Sequence, residues 1–182
     1  VVEHQGTGRQ PVVGIVATGS ELRLPGAQLS PGQIYESNRI GLAALAQRIG
    51  AKPRLFPIAR DNPIEIKEVL SRAFNECDAV VTAGGISVGE FDFVKSAFAA
   101  LGGELDFWKV AIKPGKPFAF GQCGGKLLFG LPGNPVSAFV TFLTLVRPAL
   151  LRMQGAREID LPVRHGILAE PLSNRGDRRH FV

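Results

Sequence analysis

The sequence contains few of the residues that disulfide-linked and metal-cluster proteins depend on. Only two cysteines and three histidines occur among its 182 residues. Two cysteines cannot form a disulfide framework, and no histidine–cysteine cluster has the spacing of a zinc site. We therefore expect a fold that is stabilised by a hydrophobic core and that works in a reducing compartment, the cytoplasm.

A membrane span and a signal peptide are also missing from the pattern. The longest apolar stretch, from Ala138 to Leu151, is interrupted by Arg147 and Pro148. The first ten residues, VVEHQGTGRQ, lack the basic and apolar regions of a signal peptide. We expect no membrane partner.

The net charge of +5 is compatible with a nucleic-acid ligand. However, the basic residues are scattered, and the densest cluster, Arg175 to Arg179, lies in the tail. A local site for an anionic metabolite explains the charge equally well. We therefore expect a small anionic ligand and no nucleic acid.

Apolar, β-branched runs alternate with amphipathic segments through the first half of the chain. Val12 to Ala17, Arg54 to Ala59 and Ala79 to Ala83 predict strands. Helices are predicted from a capping Asn38 to Ile49, and from Asn62, where Pro63 and Glu65 complete a capping box. Because such alternation implies parallel pairing, we predict an α/β fold with three α/β/α layers and a mostly parallel sheet.

The second half of the chain has a different pattern. It predicts a helix to Leu101, shorter strands, and a helix from Asn134 that Pro148 should bend or end. From about Ala156 the pattern is polar and strand-like. The predicted division is a linker remnant (1–11), an α/β domain (12–155) and the truncated beginning of a small β domain (156–182).

Ligands of open parallel sheets bind beyond the carboxyl ends of the strands. Three segments should meet there, one after each predicted strand. They are Thr18-Gly19-Ser20-Glu21, Arg60-Asp61 and the loop GGISVGEFD from Gly84 to Asp92. We expect the first and third segments to bind a phosphate-bearing cofactor.

The loop GGISVGEFD is the most informative of the three segments. Gly84, Gly85 and Gly89 allow backbone N–H groups to approach a phosphate, and the next helix begins at about Asp92. A plain glycine turn is the simpler alternative. The pattern around Ser87 also matches the nucleophile elbow of serine hydrolases. We favour phosphate binding, because the available histidines lie beyond the apparent core and two residues separate the motif from its helix.

Glu21, Asp61 and Asp92 should share this edge of the sheet. Clustered carboxylates repel one another, and a hard cation such as Mg²⁺ would relieve the repulsion and bridge to phosphate. Helix capping explains Asp61 and Asp92 individually, and the coincidence of all three favours a metal site.

Two proline-rich motifs complete the set of candidate residues. In KPGKP, two prolines and a glycine hold Lys113 and Lys116 close together, and an anion between them would offset their repulsion. In LPGNP, the segment Pro132-Gly133-Asn134 lies between a strand and a helix and is a further candidate anion cradle. A simple helix cap is the alternative for LPGNP.

Taken in order, the motifs ATGSEL, GQIYESN, ARD, AGGISVGEFD, KVAIKPGKPFAFG and GLPGNPVSA resemble the molybdopterin molybdenumtransferases, of the MoeA and gephyrin E-domain type. The resemblance implies insertion of molybdate into adenylated molybdopterin with release of AMP, in the presence of Mg²⁺. It assigns acidic active-site positions to Glu21, Asp61 and Asp92, and the basic pair to Lys113 and Lys116. Ser87 and its neighbouring glycines match the nucleotide-phosphate side.

Two related functions remain open at this point. The MogA-type adenylyltransferases share the fold but usually lack KPGKP, and gephyrin-like relatives also act as binding scaffolds. The resemblance further implies a homodimer in a full-length protein, whose additional domains help form the cleft. Those additional domains are absent from the sequence given, and we expect full turnover to require them.

Overall fold

The computed structural model describes residues 8–85, 93–174 and 176–181, which form alternating strands and helices. The strands are β1 (Val12–Ala17), β2 (Leu22–Arg23), β3 (Ile34–Tyr35), β4 (Lys52–Leu55), β5 (Ala79–Ala83), β6 (Glu104–Lys109), β7 (Ile112–Lys113), β8 (Pro117–Cys123), β9 (Lys126–Leu131) and β10 (Arg179–His180). The α-helices are α1 (Asn38–Arg48), α2 (Pro63–Glu76), α3 (Phe93–Ala99), α4 (Pro135–Thr141) and α5 (Arg147–Met153).

One large sheet organises the described chain. Its six strands have the order β4-β1-β5-β9-β8-β6, in which β4, β1, β5 and β9 run parallel. β8 runs antiparallel to both of its neighbours. Two short sheets, β2 with β3 and β7 with β10, lie outside it. The predicted mostly parallel α/β sheet is confirmed.

The core lies on both faces of this sheet, because side chains alternate along each strand. Val13 and Ile15 of β1 belong to the cluster that contains residues of α1, α4 and α5. Val16 of β1 belongs to the opposite cluster, which contains residues of α2 and α3. Strands covered on both faces need apolar residues at nearly every position, and Val12–Ala17 has that pattern. The predicted three layers are confirmed.

The edge strand β4 differs from its predicted position. It spans Lys52–Leu55, whereas Arg54 to Ala59 was expected. Pro57 has no N–H to continue the ladder, so pairing with β1 stops before it and returns only at an isolated bridge between Ala59 and Thr18. The chain that follows β4 therefore runs beside the end of β1 without being a strand.

The start of α1 also departs from the prediction. Ser37, not Asn38, occupies the cap position, and it makes no side-chain capping bond. The Glu36 carboxylate accepts the backbone N–H of Arg39 instead (2.7 Å). The Asn38 side chain is thereby released from capping. Its Nδ2 donates instead to the carbonyl of Gly133 in the loop after β9 (2.8 Å).

The cap of α2 is confirmed, since the Asn62 side chain accepts the N–H groups of Ile64 and Glu65. The predicted capping box is wrong in one detail. Glu65 accepts the N–H of Arg60 (2.9 Å) and does not return to Asn62. Glu65 therefore ties the first turn of α2 to the loop that carries Asp61.

Pro148 does not end the last helix. A π-helical turn, Phe142–Val146, joins α4 to α5, and Pro148 lies in the first turn of α5. The wider π turn accommodates a residue that lacks an N–H and whose ring crowds the preceding turn. By length and composition the combined helix, Pro135–Met153, could cross a membrane, a criterion that core helices of soluble proteins also meet. Its Ala138, Phe142, Val146 and Leu150 pack in the core.

Residues 156–174 are mostly exposed, and the described part of this segment contains no strand. The chain returns to the domain at β10, which pairs in parallel with β7. That residues 156–182 begin a separate β domain remains a prediction.

The buried thiol of Cys77 makes the free energy of unfolding depend on pH in the alkaline range. Burial raises the pKa of Cys77 to about 11, whereas an unfolded thiol ionises at about 8.5. The folded state therefore holds its proton where the unfolded state loses it, and stability falls as the pH rises from about 9 towards 11. We expect the advantage of wild type over Cys77→Ala in unfolding free energy to shrink by about 2 kcal/mol over this range. Urea unfolding at intervals between pH 8 and 11 measures it, and a constant difference would contradict the prediction.

Candidate functional site

The carboxyl ends of the parallel strands β4, β1, β5 and β9 meet at one edge of the sheet. From this edge the chain leaves β1 and β9 towards the face covered by α1, α4 and α5. It leaves β4 and β5 towards the face covered by α2 and α3. Neighbouring loops thus diverge to opposite faces, which is the arrangement that opens a ligand crevice in α/β sheets.

The loop after β1 lies between its two neighbours. Thr18 N–H donates to the carbonyl of Ala83 at the end of β5, and Gly19 N–H donates to the carbonyl of Ala59 (both 3.0 Å). These bonds extend the parallel pairing for two residues beyond β1. They bring the predicted segment Thr18-Gly19-Ser20-Glu21 to the centre of the edge.

Ser20 and Asp61 form a reciprocal pair. Ser20 N–H donates to Asp61 Oδ2, and Asp61 N–H donates to Ser20 Oγ, both at 3.0 Å. The Glu21 carboxylate folds back over Gly19, where an added Cβ would lie 2.7 Å from Glu21 Oε2. The structure thus brings the carboxylates of Glu21 and Asp61 to the same turn.

Gly84 and Gly85 allow the end of β5 to lie directly against Thr18. Their φ angles are +90° and +67°. A Cβ on Gly84 would lie 2.5 Å from the carbonyl oxygen of Thr18, and one on Gly85 would lie 2.5 Å from Thr18 Oγ1. Both positions require glycine for its conformation and for space. Ser87, Gly89 and Asp92, the other candidates of this loop, lie outside the described residues.

The loop Pro132-Gly133-Asn134 follows β9 at the same edge. Gly84 N–H donates to the carbonyl of Leu131 (3.0 Å), and a Cβ on Gly133 would lie 3.6 Å from Gly84 Cα. Asn134 caps the next helix by accepting Ser137 N–H (3.1 Å), so the predicted cap is confirmed. The loops after β5 and β9 are therefore in contact.

The motif KPGKP joins this edge from the antiparallel side. β8 pairs with β9 in an antiparallel register that sets Ala119 beside Gly130, so β8 begins at the edge where β9 ends, and Lys116 directly precedes β8. Gly115 is buried, and a Cβ there would lie 2.6 Å from Thr141 Cγ2. The loop is thus held against α4, while the side chains of Lys113 and Lys116 are exposed. Both lysines are available to an anion.

Sequence reasoning missed that the basic tail returns to this loop. Phe181 N–H donates to the carbonyl of Lys113 (2.7 Å), and the pairing of β10 with β7 sets His180 beside Lys113. The cluster of basic residues was visible in the sequence. No local signal indicated its partner, which is more than sixty residues away.

Among the described residues, three buried side-chain oxygens at or near this edge have no hydrogen-bond partner in the described part of the chain: Thr18 Oγ1, Thr82 Oγ1 and Asn38 Oδ1. Leaving a buried polar group unpaired costs about 1–3 kcal/mol. Such groups are rare in native structures and call for an explanation such as a functional role or an ordered water. Asn38 was expected only to cap a helix, so its position in the site was also missed.

The described residues contain no group of three His, Cys, Asp or Glu side chains that could hold a metal ion. Two of the predicted carboxylates, Glu21 and Asp61, are described and lie on one turn. The third, Asp92, lies outside the described residues. The predicted Mg²⁺ site therefore remains a prediction.

A family model described as a probable molybdopterin binding domain matches residues 14–152. The chain belongs to this family. The matched residues include most of β1 and the loop after it, the glycine loop, KPGKP and LPGNP.

Individual relatives agree with the family. A molybdopterin molybdenumtransferase of Haemophilus influenzae is 42% identical over 161 residues, which cover 88% of this chain and 40% of that protein. Molybdopterin molybdenumtransferase 2 of Mycobacterium tuberculosis is 39% identical over 178 residues, 95% of this chain and 44% of that protein. The chain thus spans less than half the length of these curated relatives.

A solved structure has the same fold. The molybdopterin biosynthesis MoeA protein of Pyrococcus horikoshii superposes with a TM-score of 0.75 at 38% identity. The match covers 82% of this chain and 37% of that one. The α/β architecture of this chain is therefore the architecture of one part of a longer MoeA protein.

Replacing Gly84 should disturb the crevice more than replacing a glycine of equal backbone conformation. Gly26 has the same φ of +90°, but no atom lies within 4 Å of an added Cβ. Both alanine variants carry the strain of positive φ, and only Gly84→Ala also meets a backbone carbonyl. We expect Gly84→Ala to lose about 1–3 kcal/mol more unfolding free energy than Gly26→Ala in urea titrations. Equal losses would mean that the close approach of β5 and Thr18 is not required.

Proposed function

We propose that this chain is the molybdopterin-binding domain of a cytoplasmic molybdopterin molybdenumtransferase. The longer protein would insert molybdate into adenylated molybdopterin and release AMP. The observation that carries the proposal is the meeting of carboxylates, glycine loops and paired lysines at one edge of the sheet. The names of the relatives, at about 40% identity, support the choice of substrate.

The basic side of the crevice would bind anions. Lys113 and Lys116 are exposed on a loop that Gly115 anchors to α4. Two ammonium groups on one rigid loop repel each other until an anion lies between them. Molybdate carries two negative charges and suits this position. During release of AMP, the same charges would stabilise the developing charge on phosphate oxygens.

The acidic side would bind Mg²⁺. Glu21 and Asp61 supply carboxylate oxygens, the ligands that Mg²⁺ prefers, and Asp92 is the third residue that we assign to this role. Asp61 Oδ2 already accepts Ser20 N–H, and Asp61 Oδ1 accepts no hydrogen bond from the described residues, so Asp61 retains an oxygen for a hard cation. When bound, Mg²⁺ would neutralise phosphate charge on the nucleotide.

The glycine loops would bind the nucleotide and pterin portions of the substrate. Gly84 and Gly85 lie between the acidic and basic sides, together with the segments Thr18-Gly19-Ser20 and Pro132-Gly133-Asn134. We assign Ser87 and Gly89 to the same binding role. Backbone N–H groups approach a phosphate closely where no Cβ intervenes. In the longer protein we propose a homodimer that closes the crevice.

The MogA-type adenylyltransferase is the alternative within the same fold. The pair Lys113 and Lys116 favours molybdate insertion, because the MogA-type enzymes usually lack the KPGKP loop that carries these two lysines. A scaffold function would leave both the lysines and the carboxylates without a role. We therefore retain the transferase as the proposed function.

Removing the paired lysines should weaken molybdate binding. We expect Lys113→Ala plus Lys116→Ala to weaken molybdate binding at least about tenfold, since each lost charged contact is worth about 1 kcal/mol. Calorimetric titration of molybdate into the purified chain measures the affinity. Lys67→Ala is the control, because Lys67 is an exposed lysine of α2. Unchanged affinity in the double variant would refute the role of KPGKP.

Neutralising Asp61 should remove the effect of Mg²⁺ on nucleotide binding. Asp61→Asn keeps an oxygen for Ser20 N–H and loses the charge. We expect Mg²⁺ to strengthen AMP binding to wild type, and to do so at least about fivefold less in Asp61→Asn. Asp106→Asn is the control, since Asp106 is exposed on the edge strand β6. A variant that keeps the full Mg²⁺ effect would exclude Asp61 as a ligand.

A further inference from the structure

We propose that Arg23 is a positioning residue that holds the turn from Gly19 to Leu22, so that the Glu21 carboxylate stays directed at the predicted Mg²⁺ site. The inference rests on the proposed function, because it concerns the acidic side of the same crevice. It assigns a role to a residue that follows the motif ATGSEL and to which the proposed function gives no part.

The Glu21 side chain extends from a tight turn. Leu22 N–H donates to the carbonyl of Gly19 (3.2 Å), which closes the turn. Both carboxylate oxygens of Glu21 lie over Gly19, since a Cβ there would be 2.7 and 2.8 Å from them. The carboxylate itself accepts no hydrogen bond from the described residues. Its position in the described part of the chain therefore depends on the shape of the backbone that carries it.

Arg23 bonds to the backbone on both sides of Glu21. Its Nη1 donates to the carbonyl of Ser20 (3.0 Å) and to the carbonyl of Leu22 (2.7 Å). The carbonyl between them, that of Glu21, accepts the N–H of Ile34 (3.0 Å). The successive peptide units are thus all held, and none can rotate without breaking one of these bonds. The guanidinium is charged, so its bonds are stronger than those between neutral groups.

The same bonds extend to the second carboxylate of the acidic side. Ser20, whose carbonyl accepts from Arg23, is also the residue that forms the reciprocal pair with Asp61. Arg23 holds Ser20 through its carbonyl, and Asp61 holds it through its N–H and its hydroxyl. Arg23 therefore fixes the turn that carries Glu21 relative to Asp61, the relation on which shared binding of one cation depends.

The backbone of Arg23 has a rigid support. Glu36 N–H donates to the carbonyl of Arg23 (2.8 Å). The Glu36 side chain forms an ion pair with Arg39 at 2.8 Å, and these side chains are only 2% and 8% exposed. Separating such a buried pair would leave uncompensated charges, so the pair holds its geometry. The main-chain bond does not involve the Arg23 side chain, so it remains in every variant of Arg23.

The charge of Arg23 allows positioning to be distinguished from electrostatics. The guanidinium belongs to no ion pair of the described residues. If Arg23 acted only through its charge, it would repel Mg²⁺, and its removal would strengthen Mg²⁺ binding. If it holds the Glu21 turn, its removal should weaken Mg²⁺ binding, because residues that orient a metal ligand from outside the coordination shell typically change metal affinity about 10–100-fold when they are replaced. The two roles therefore predict effects of opposite sign.

Replacing the Arg23 side chain should weaken Mg²⁺ binding only where the donors are lost. Arg23→Met keeps an unbranched chain without donors, whereas Arg23→Lys replaces the single nitrogen that makes both bonds by another cationic donor. We expect the Mg²⁺ concentration that half-saturates the effect on AMP binding to rise about tenfold in Arg23→Met and to stay within about twofold of wild type in Arg23→Lys. Arg48→Met, at an exposed arginine in the last turn of α1, is the matched control.

Calorimetric titrations of AMP at increasing Mg²⁺ give this concentration, and two further measurements separate positioning from a general loss of structure. The affinity for AMP without Mg²⁺ and the midpoint of thermal unfolding should be unchanged in Arg23→Met, because the main-chain bonds of the turn remain. In ¹H–¹⁵N NMR spectra, the Glu21 amide signal should shift as Mg²⁺ saturates wild type and Arg23→Lys. The same shift should need about tenfold more Mg²⁺ in Arg23→Met.

Unchanged or stronger Mg²⁺ binding in Arg23→Met would overturn the inference, and so would an equal weakening in Arg23→Lys. A weakening that is accompanied by an equal loss of AMP affinity without Mg²⁺ would also overturn it, since the role would then be merely structural. A Mg²⁺ effect that Asp61→Asn loses and Arg23→Met keeps would refute this inference alone. No effect of Mg²⁺ on AMP binding to wild type would refute the predicted Mg²⁺ site itself, and this inference with it.

Discussion

Parallel pairing of β1, β5 and β9 is the constraint on which the rest of the structure depends. Each of these strands is buried on both faces, so nearly all of their side chains belong to the core. Parallel strands also end at the same edge. The polar and glycine residues that follow each strand therefore meet there, although they are far apart in the sequence.

The same pairing explains why the site needs small residues at its centre. The parallel ladder continues past β1 to Thr18 and Gly19, so the loop after β5 must pass directly beside it. Gly84 and Gly85 permit that passage, because any side chain there would meet Thr18. Close packing of backbones leaves N–H groups, and few side chains, to form the middle of the crevice.

The order of the strands separates charges along the crevice. Asp61 and Glu21 follow β4 and β1 at one end, whereas Lys116 precedes β8 at the other. The loops after β5 and β9 lie between them. A substrate that carries a metal-bound nucleotide at one end and receives an oxyanion at the other would match this polarity, which is the arrangement that our proposed function requires.

Local pattern was sufficient for those parts of the protein that are determined by burial or by neighbouring residues. Val12–Ala17 and Ala79–Ala83 were predicted with their observed limits, because a strand covered on both faces has no alternative position. The caps at Asn62 and Asn134 were predictable since each bonds within three residues. The convergence of loops at one edge followed from parallel pairing alone.

Contacts between residues distant in the sequence determined the features that the local pattern did not predict. The bond from Asn38 to Gly133 and the return of β10 to β7 each depend on a partner that no local window contains. The sequence by itself determined which residues could form the core and which could carry charge or turn tightly. Only the tertiary structure decided which of those polar residues meet, because hydrogen bonds between distant loops are selected by the packing of the strands that carry them.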